Sequence, residues 1–223
     1  MRLQRPDPPL ETRSAMPNPL TQASAGRESA PAGFLARLST TRANARAGLV
    51  ADSAVSVLLV ALGLRAHTTG AAAALLALAS GVTLFSFVEY AFHRWLFHGR
   101  AGRFAAGHRQ HHHDPYGDDA LPFFVPPLLM LALARALALL LPAGDAMLLA
   151  GALAAGYAAY GLAHTAIHRL RFRRGPLMRW AACHHVHHHH PDRNFGVTSP
   201  LWDVVLGTRH VRAGRAPERS AGT

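Results

Sequence analysis

The chain has 223 residues, half of them hydrophobic, and its formal net charge of +11 comes from an excess of arginine, since it contains no lysine. Such a charge fits nucleic-acid binding or a membrane protein. The arginines flank apolar runs and form no basic stripe with interleaved aromatic residues, so we exclude nucleic acid as a partner. The single cysteine, Cys183, excludes an internal disulfide.

Both ends of the chain differ in composition from the middle. Residues 1–45 are rich in proline, alanine, serine and arginine and show no apolar period, so we predict a disordered N-terminal tail. No continuous apolar segment follows a basic start there, which argues against a secretory signal, while an organelle-type leader stays an alternative. We predict one membrane domain over residues 46–210 and a flexible C-terminal tail over 211–223.

Four long apolar runs divide the middle of the chain. They are Ala47–Leu64, Ala71–Tyr90, Leu121–Leu141 and Ala146–Ala163. About 20 apolar residues in a helix cross a bilayer core of roughly 30 Å, and a helix satisfies its own backbone there. We therefore predict an all-α integral membrane protein: a four-helix core of two transmembrane hairpins with a cytoplasmic histidine-rich cap. Arg135 lies inside the third run and must face the bundle or reach the interface.

The arginines predict the orientation of this multi-pass protein. One short link contains a single arginine, Arg65, and the other, Pro142 to Asp145, contains none, whereas eleven arginines lie on the opposite side. By the positive-inside rule, both termini and every histidine group are cytoplasmic.

Fourteen of the 16 histidines fall into four groups next to the apolar runs. Neutral imidazole is a good ligand for iron, zinc, copper and nickel. Histidines four residues apart share a helix face, whereas neighbours such as His111 and His112 point about 100° apart. This geometry favours two metal ions over one. The groups contain the words His93-x4-His98, His108-x2-His111-His112, His164-x3-His168 and His184-x2-His187-His188.

The residue types around these groups favour oxygen chemistry on a lipid. Soluble di-iron bundles use Glu-x-x-His pairs, which are absent here. Zinc hydrolases combine a few ligands with an acidic base, and acids are scarce near the histidines. Glu89 precedes His93 by one turn, so two roles are open: a carboxylate that orients His93, or an acid at the end of the helix near the interface.

These words resemble a known family in their order along the chain. Glu89–His98, His108–His112, Phe124–Pro127, His164–His168 and Asn194–Asp203 are similar to the fatty acid hydroxylase (sterol desaturase/sphingolipid hydroxylase) superfamily, most of all to its fatty acid 2-hydroxylase branch. The resemblance implies a di-iron monooxygenase that hydroxylates a lipid acyl chain with O2 and an external electron donor; zinc can substitute for iron. By position, the metal ligands are His93, His98, His108, His111, His112, His164, His168, His184, His187 and His188, with Glu89 and Tyr160 as supporting residues.

The chain departs from the family pattern in three places. Gly161 stands where the family often has aspartate, which removes one supporting group. His185, His188 and His189 fit the last word as well, so its register stays open. The His-Pro-Gly-Gly signature of a fused haem domain is absent from the sequence, so we expect a separate redox protein as the electron donor.

Other functions fit parts of the pattern. A lipid desaturase or carotenoid hydroxylase would use the same metal site. A metal transporter would place polar ligands near the bilayer midplane, where this chain has mostly alanine, leucine, valine and glycine. A scaffold protein with surface histidines would bind no metal.

Overall fold

The computed structural model describes residues 33–100, 102–118 and 120–211. Within these ranges all regular structure is helical, which confirms the all-α prediction. The elements are α1 (Phe34–Ser39), α2 (Arg42–Ala66), α3 (Ala71–Ala91), a π-helical segment (Phe92–Phe97), α4 (Arg103–His113), α5 (Val125–Leu137), α6 (Ala143–Arg169), α7 (Gly175–His189) and α8 (Leu201–Val205).

The predicted domain limits can be compared with these elements only in part. α1 and the first turn of α2 lie inside the stretch 1–45 for which we predict a disordered tail, so helical structure begins before the expected limit at residue 46. The rest of that stretch, residues 1–32, and nearly all of the predicted C-terminal tail, residues 212–223, lie outside the described residues.

Three helices are long and apolar enough to cross a membrane: α2, α3 with the π-helical segment, and α6, of 25, 27 and 27 residues. At 1.5 Å per residue each exceeds the roughly 30 Å of a bilayer core. The third apolar run forms the shorter helix α5, of 13 residues, because prolines occupy its first turn and a turn over Leu139 and Leu140 follows its end. Arg135, in the last turn of α5, is exposed and does not face the bundle.

α6 is the central helix and packs against α2, α3 and α5. Small residues allow these backbones to approach closely, as is usual for helices in a membrane. Ser56 on α2 donates a hydrogen bond to the carbonyl of Gly151 on α6 at 3.0 Å. A Cβ atom at Gly81 on α3 would lie 2.4 Å from the carbonyl oxygen of Leu149 on α6. Direct contact between backbones therefore joins the three long helices.

The segment after α7 folds back onto the end of α3. Trp202 on α8 donates a hydrogen bond from Nε1 to Ser86 at 3.0 Å, and its ring packs on Phe87 with centroids 4.9 Å apart. The return of the chain brings the loop that follows α7 beside the π-helical segment. As a result, the four histidine groups meet at one end of the bundle.

Gly81→Ala is expected to destabilise the protein by about 1–3 kcal/mol, because the added methyl group forces α3 away from α6. Thermal unfolding in detergent measures the effect. Gly48→Ala on α2 is the matched control, since its Cβ would meet only Phe123 at an ordinary 3.9 Å, and alanine is favoured over glycine in helices. Equal melting temperatures for the two variants would contradict a tight contact between α3 and α6.

Candidate metal centre

Nine of the ten predicted ligands form two groups of ring nitrogens. Within each group, one nitrogen of every member lies within 4.8 Å of the others. The tenth, His188, adjoins the second group: its Nε2 lies 3.2 Å from Nε2 of His184. The first group is His93, His98, His108, His112 and His187; the second group is His111, His164, His168 and His184.

The π-helical segment explains how His93 and His98 share a group. Residues five apart on an α-helix point about 140° away from each other. In the wider π-helical turn, the backbone N–H of His98 donates a hydrogen bond to the carbonyl of His93 at 3.2 Å. The two imidazole rings therefore lie on the same side, with centroids 5.2 Å apart. A π-helical turn of this kind often marks a functional site. The residue pattern around His93 and His98 does not predict this turn.

Helices α4 and α6 distribute their histidines by ordinary α-helical periodicity. His108 and His112 are four residues apart, and their Nε2 atoms lie 3.1 Å apart in the first group. His111 turns instead to the second group, where its ring meets that of His164 at 4.5 Å. His168 follows His164 by one turn and completes the contribution of α6.

Helix α7 has one face toward the site. His184 and His187 are 1% and 0% exposed, whereas His185 and His189 are exposed. Two sets of histidines fit the last sequence word: His184, His187 and His188, or His185, His188 and His189. The first set lies on the inner side of α7. His113, at the end of α4, is exposed too.

The nitrogen atoms are too crowded to be satisfied by hydrogen bonds among themselves. Nε2 of His108 lies 3.0–3.1 Å from Nε2 of His93, His98 and His112, yet one ring nitrogen has a single proton or a single lone pair. Burial and the neighbouring rings lower the pKa of His98 and of His111 to about 4. Near neutral pH the rings are therefore uncharged, and their lone pairs converge.

A bound metal ion would resolve this crowding. With metal–nitrogen bonds of about 2.0–2.1 Å, neighbouring ligand nitrogens lie roughly 3 Å apart, which matches the 3.0–3.2 Å observed here. In the second group, Nε2 of His111 is buried and has no hydrogen-bond partner among the described residues. Since buried polar atoms are almost always paired, this nitrogen also fits a metal ligand. The residues present suit two ions.

Two backbone carbonyls fix the orientation of ligands in the first group. Nδ1–H of His93 donates to the carbonyl of Phe195 at 2.5 Å, and Nδ1–H of His187 donates to the carbonyl of Arg193 at 2.7 Å. A proton on Nδ1 leaves the lone pair on Nε2, which faces the group. Both carbonyls belong to the loop after α7, so this loop determines two tautomers.

Glu89 holds that loop in place and does not bond His93 directly. Its carboxylate accepts the backbone N–H of Val197 at 2.6 Å and of Thr198 at 2.9 Å, and also the Thr198 hydroxyl. Of the two roles left open for Glu89, these contacts favour a supporting one by an indirect route, because the carbonyl of Phe195, which holds His93, lies two residues before Val197. Tyr160 stacks on the ring of His164, with centroids 5.6 Å apart and planes 9° apart.

Asp203 is a second anchor of the loop and was not among the site residues predicted from the sequence. Its carboxylate, 1% exposed, accepts the backbone N–H of Phe195 and of Gly196, each at 2.8 Å, and the Thr208 hydroxyl at 2.7 Å. The sequence feature that could have indicated this role is its position at the end of the segment Asn194–Asp203, which resembles the family pattern.

His108→Ala is expected to lower the metal content of the purified protein, because Nε2 of His108 lies close to Nε2 of three other predicted ligands in the first group. His113→Ala on the same helix is the control, since His113 is exposed and should leave the content unchanged. Elemental analysis by mass spectrometry gives the ions bound per chain. Similar metal content in both variants would contradict a site in the first group.

Glu89→Ala is expected to destabilise the protein by about 2–4 kcal/mol, because two backbone N–H groups and a hydroxyl lose their acceptor. Metal content should fall with it, since the Phe195 carbonyl that holds His93 moves. Glu89→Gln, which keeps one acceptor oxygen, should recover part of both. Asp192→Ala is the control, because the Asp192 side chain is 72% exposed. Full metal content in Glu89→Ala would exclude the indirect route to His93.

Comparison with known proteins places this site in a family. The fatty acid hydroxylase family model matches residues 78–208. The dihydroceramide fatty acyl 2-hydroxylase FAH2 of Arabidopsis thaliana is 32% identical over 145 residues, which cover 60% of each chain. A fatty acid 2-hydroxylase of Macaca fascicularis is 33% identical over 141 residues, 57% of this chain and 38% of that protein. The chain thus spans 60% and 38% of the lengths of these two relatives, which is less than two thirds in each case.

A solved structure supports the same grouping. The structure described as full-length scs7p, with only the hydroxylase domain visible, has a TM-score of 0.64 and 27% sequence identity, over 80% of this chain and 70% of that one. The family match covers more than half of the chain and includes all four histidine groups. The chain therefore belongs to the fatty acid hydroxylase family.

Proposed function

We propose that this protein is a membrane-bound, O2-dependent hydroxylase with two iron ions that introduces a hydroxyl group at C2 of a lipid acyl chain. The observation that carries the proposal is the pair of histidine groups, whose ring nitrogens converge at metal-ligand spacing. The acyl substrate and the 2-position follow the names of the relatives, which are 2-hydroxylases of fatty acids and of dihydroceramide fatty acyl chains.

The ten predicted histidines would hold the two ions. The first group supplies five ligands, and the second group supplies four with His188 beside them. Zinc binds such ligands as well, but it has no redox chemistry, so we propose iron for the active form. Glu89 is proposed as a positioning residue that acts through the loop, and Tyr160 as a support for the ring of His164.

The bound iron pair would supply the activation of O2. The overall reaction consumes the acyl C–H, O2, two electrons and two protons, and yields the alcohol and water. We propose that a separate redox protein provides the electrons. The chain's own contribution is to fix the ligands: the carbonyls of Phe195 and Arg193 hold two tautomers, and the buried carboxylates of Glu89 and Asp203 hold the backbone that bears those carbonyls.

The position of the site supports a lipid substrate. His93 lies near the end of one candidate membrane span and His164 near the end of another. Phe92 and Trp95, on either side of His93 and Arg94, are 50% and 57% exposed, so apolar surface borders the first group. We propose that α5 completes the membrane-embedded core. With arginines concentrated at the histidine end, the positive-inside rule supports cytoplasmic termini and a cytoplasmic metal site.

Expression of the chain in a host that lacks 2-hydroxylated lipids is expected to produce 2-hydroxy fatty acids after hydrolysis of the lipid extract. Mass spectrometry with isotopically labelled O2 should show the label in the new hydroxyl. His168→Ala should reduce the product at least about 100-fold, because a ligand of the second group is lost, while the exposed His190→Ala should not. A new double bond without a hydroxyl would reject the proposal and favour a desaturase.

A further inference from the structure

The segment that joins α6 to α7 and the start of α7 have positive charge that none of the described residues neutralises. No acidic residue occurs between Asp145 and Asp192. Arg169 forms an ion pair with Asp118 at 2.7 Å. In the part of the chain that the structure describes, the four arginines that follow form no ion pair, and all four are exposed. These are Arg171, Arg173, Arg174 and Arg179.

Apolar side chains are interspersed with these arginines and are just as accessible. Leu170, Leu177 and Met178 are 58%, 56% and 41% exposed. A cavity of about 490 Å³ lies between the segment and α7. Leu170, Phe172, Met178 and alanines of α7 form its apolar wall, and the side chains of Arg171, Arg173 and His185 complete it. Cations beside an apolar wall suit a ligand with an anionic head and a hydrocarbon tail.

The segment is firmly attached to the rest of the protein. The Phe172 ring packs against Trp180 with centroids 5.9 Å apart, and Nε1 of Trp180 donates to the carbonyl of Val197 at 2.8 Å. Ile167, Ala181 and Val197 form the buried cluster beneath them. The cavity therefore has a defined wall, in contrast to a surface made only of long side chains.

The location of the cavity indicates which ligand with an anionic head and a hydrocarbon tail would bind there. It directly follows Arg169, the last residue of a candidate membrane span. At this depth arginine side chains reach the headgroup phosphates while apolar side chains contact the acyl region. We infer that the cavity is a binding site for an anionic phospholipid, with the phosphate on Arg171 and Arg173 and one acyl chain along Leu170, Phe172 and Met178.

The site lies on the outer face of the helix that supplies three histidines to the metal centre. Ala181, Ala182 and His185 of α7 line the cavity, whereas His184 and His187 face inward. A bound phospholipid would thus hold α7 from outside and stabilise the position of these ligands. This inference requires membrane insertion of α6 and does not depend on hydroxylase activity.

Lipid binding by the full-length chain tests the inference. In titrations followed by native mass spectrometry, phosphatidylglycerol is expected to bind and phosphatidylcholine to bind far more weakly. The melting temperature should be higher in nanodiscs of equimolar phosphatidylcholine and phosphatidylglycerol than in phosphatidylcholine alone. The double variant Arg171→Gln/Arg173→Gln should bind phosphatidylglycerol about 30-fold more weakly, because two arginines at the surface lose their attraction to the phosphate.

Two further variants separate a cavity from general surface charge. Arg100→Gln/Arg103→Gln removes the same charge from exposed positions outside the cavity and should keep wild-type affinity. Ala182→Trp keeps every charge but fills the apolar wall, and should weaken binding as well. The inference is overturned if phosphatidylcholine binds equally well, if the control double variant loses as much affinity, if filling the wall has no effect, or if inorganic phosphate competes as effectively as the lipid.

Discussion

The structure depends on the convergence of unprotonated ring nitrogens. Lone pairs at 3.0–3.2 Å repel one another, and burial removes the option of protonating the rings to form hydrogen bonds. A cation turns the same contacts into bonds. Because four separate segments contribute these nitrogens, the binding of metal ions here would be coupled to the assembly of this end of the protein.

A second layer of the site consists of backbone held by buried carboxylates. The carboxylates of Glu89 and Asp203 accept hydrogen bonds from consecutive backbone N–H groups of one loop. Carbonyls of the same loop accept hydrogen bonds from His93 and His187. Backbone carbonyls have little freedom to move once their neighbouring amides are fixed. The arrangement therefore defines ligand orientation more rigidly than a direct carboxylate–imidazole contact through a flexible side chain would.

Much of this arrangement could be predicted from the sequence, because its causes are local. Apolar runs of spanning length identified α2, α3 and α6, and the 3.6-residue period of α4 assigned His111 and His112 to different groups. Two features have non-local causes. The π-helical segment brings His93 and His98 into one group of ligands, together with histidines from other parts of the chain. Glu89 finds its partners about a hundred residues later, in a loop that has no periodic pattern. The apolar run around α5 was predicted as a longer helix because hydrophobicity alone does not show that prolines in the first turn and a turn over Leu139 and Leu140 limit it.

The glycine contacts between the long helices constrain how a substrate could enter. At Gly81 and Gly151 there is no room even for a methyl group between neighbouring backbones. A hydrocarbon tail therefore cannot thread between α3 and α6, or between α2 and α6, at these levels. The tail of the proposed lipid substrate would have to approach the histidines outside these two contacts. At these two levels the packing of the helices leaves the length of such a tail unmeasured, so selectivity would then depend on how its polar end is bound.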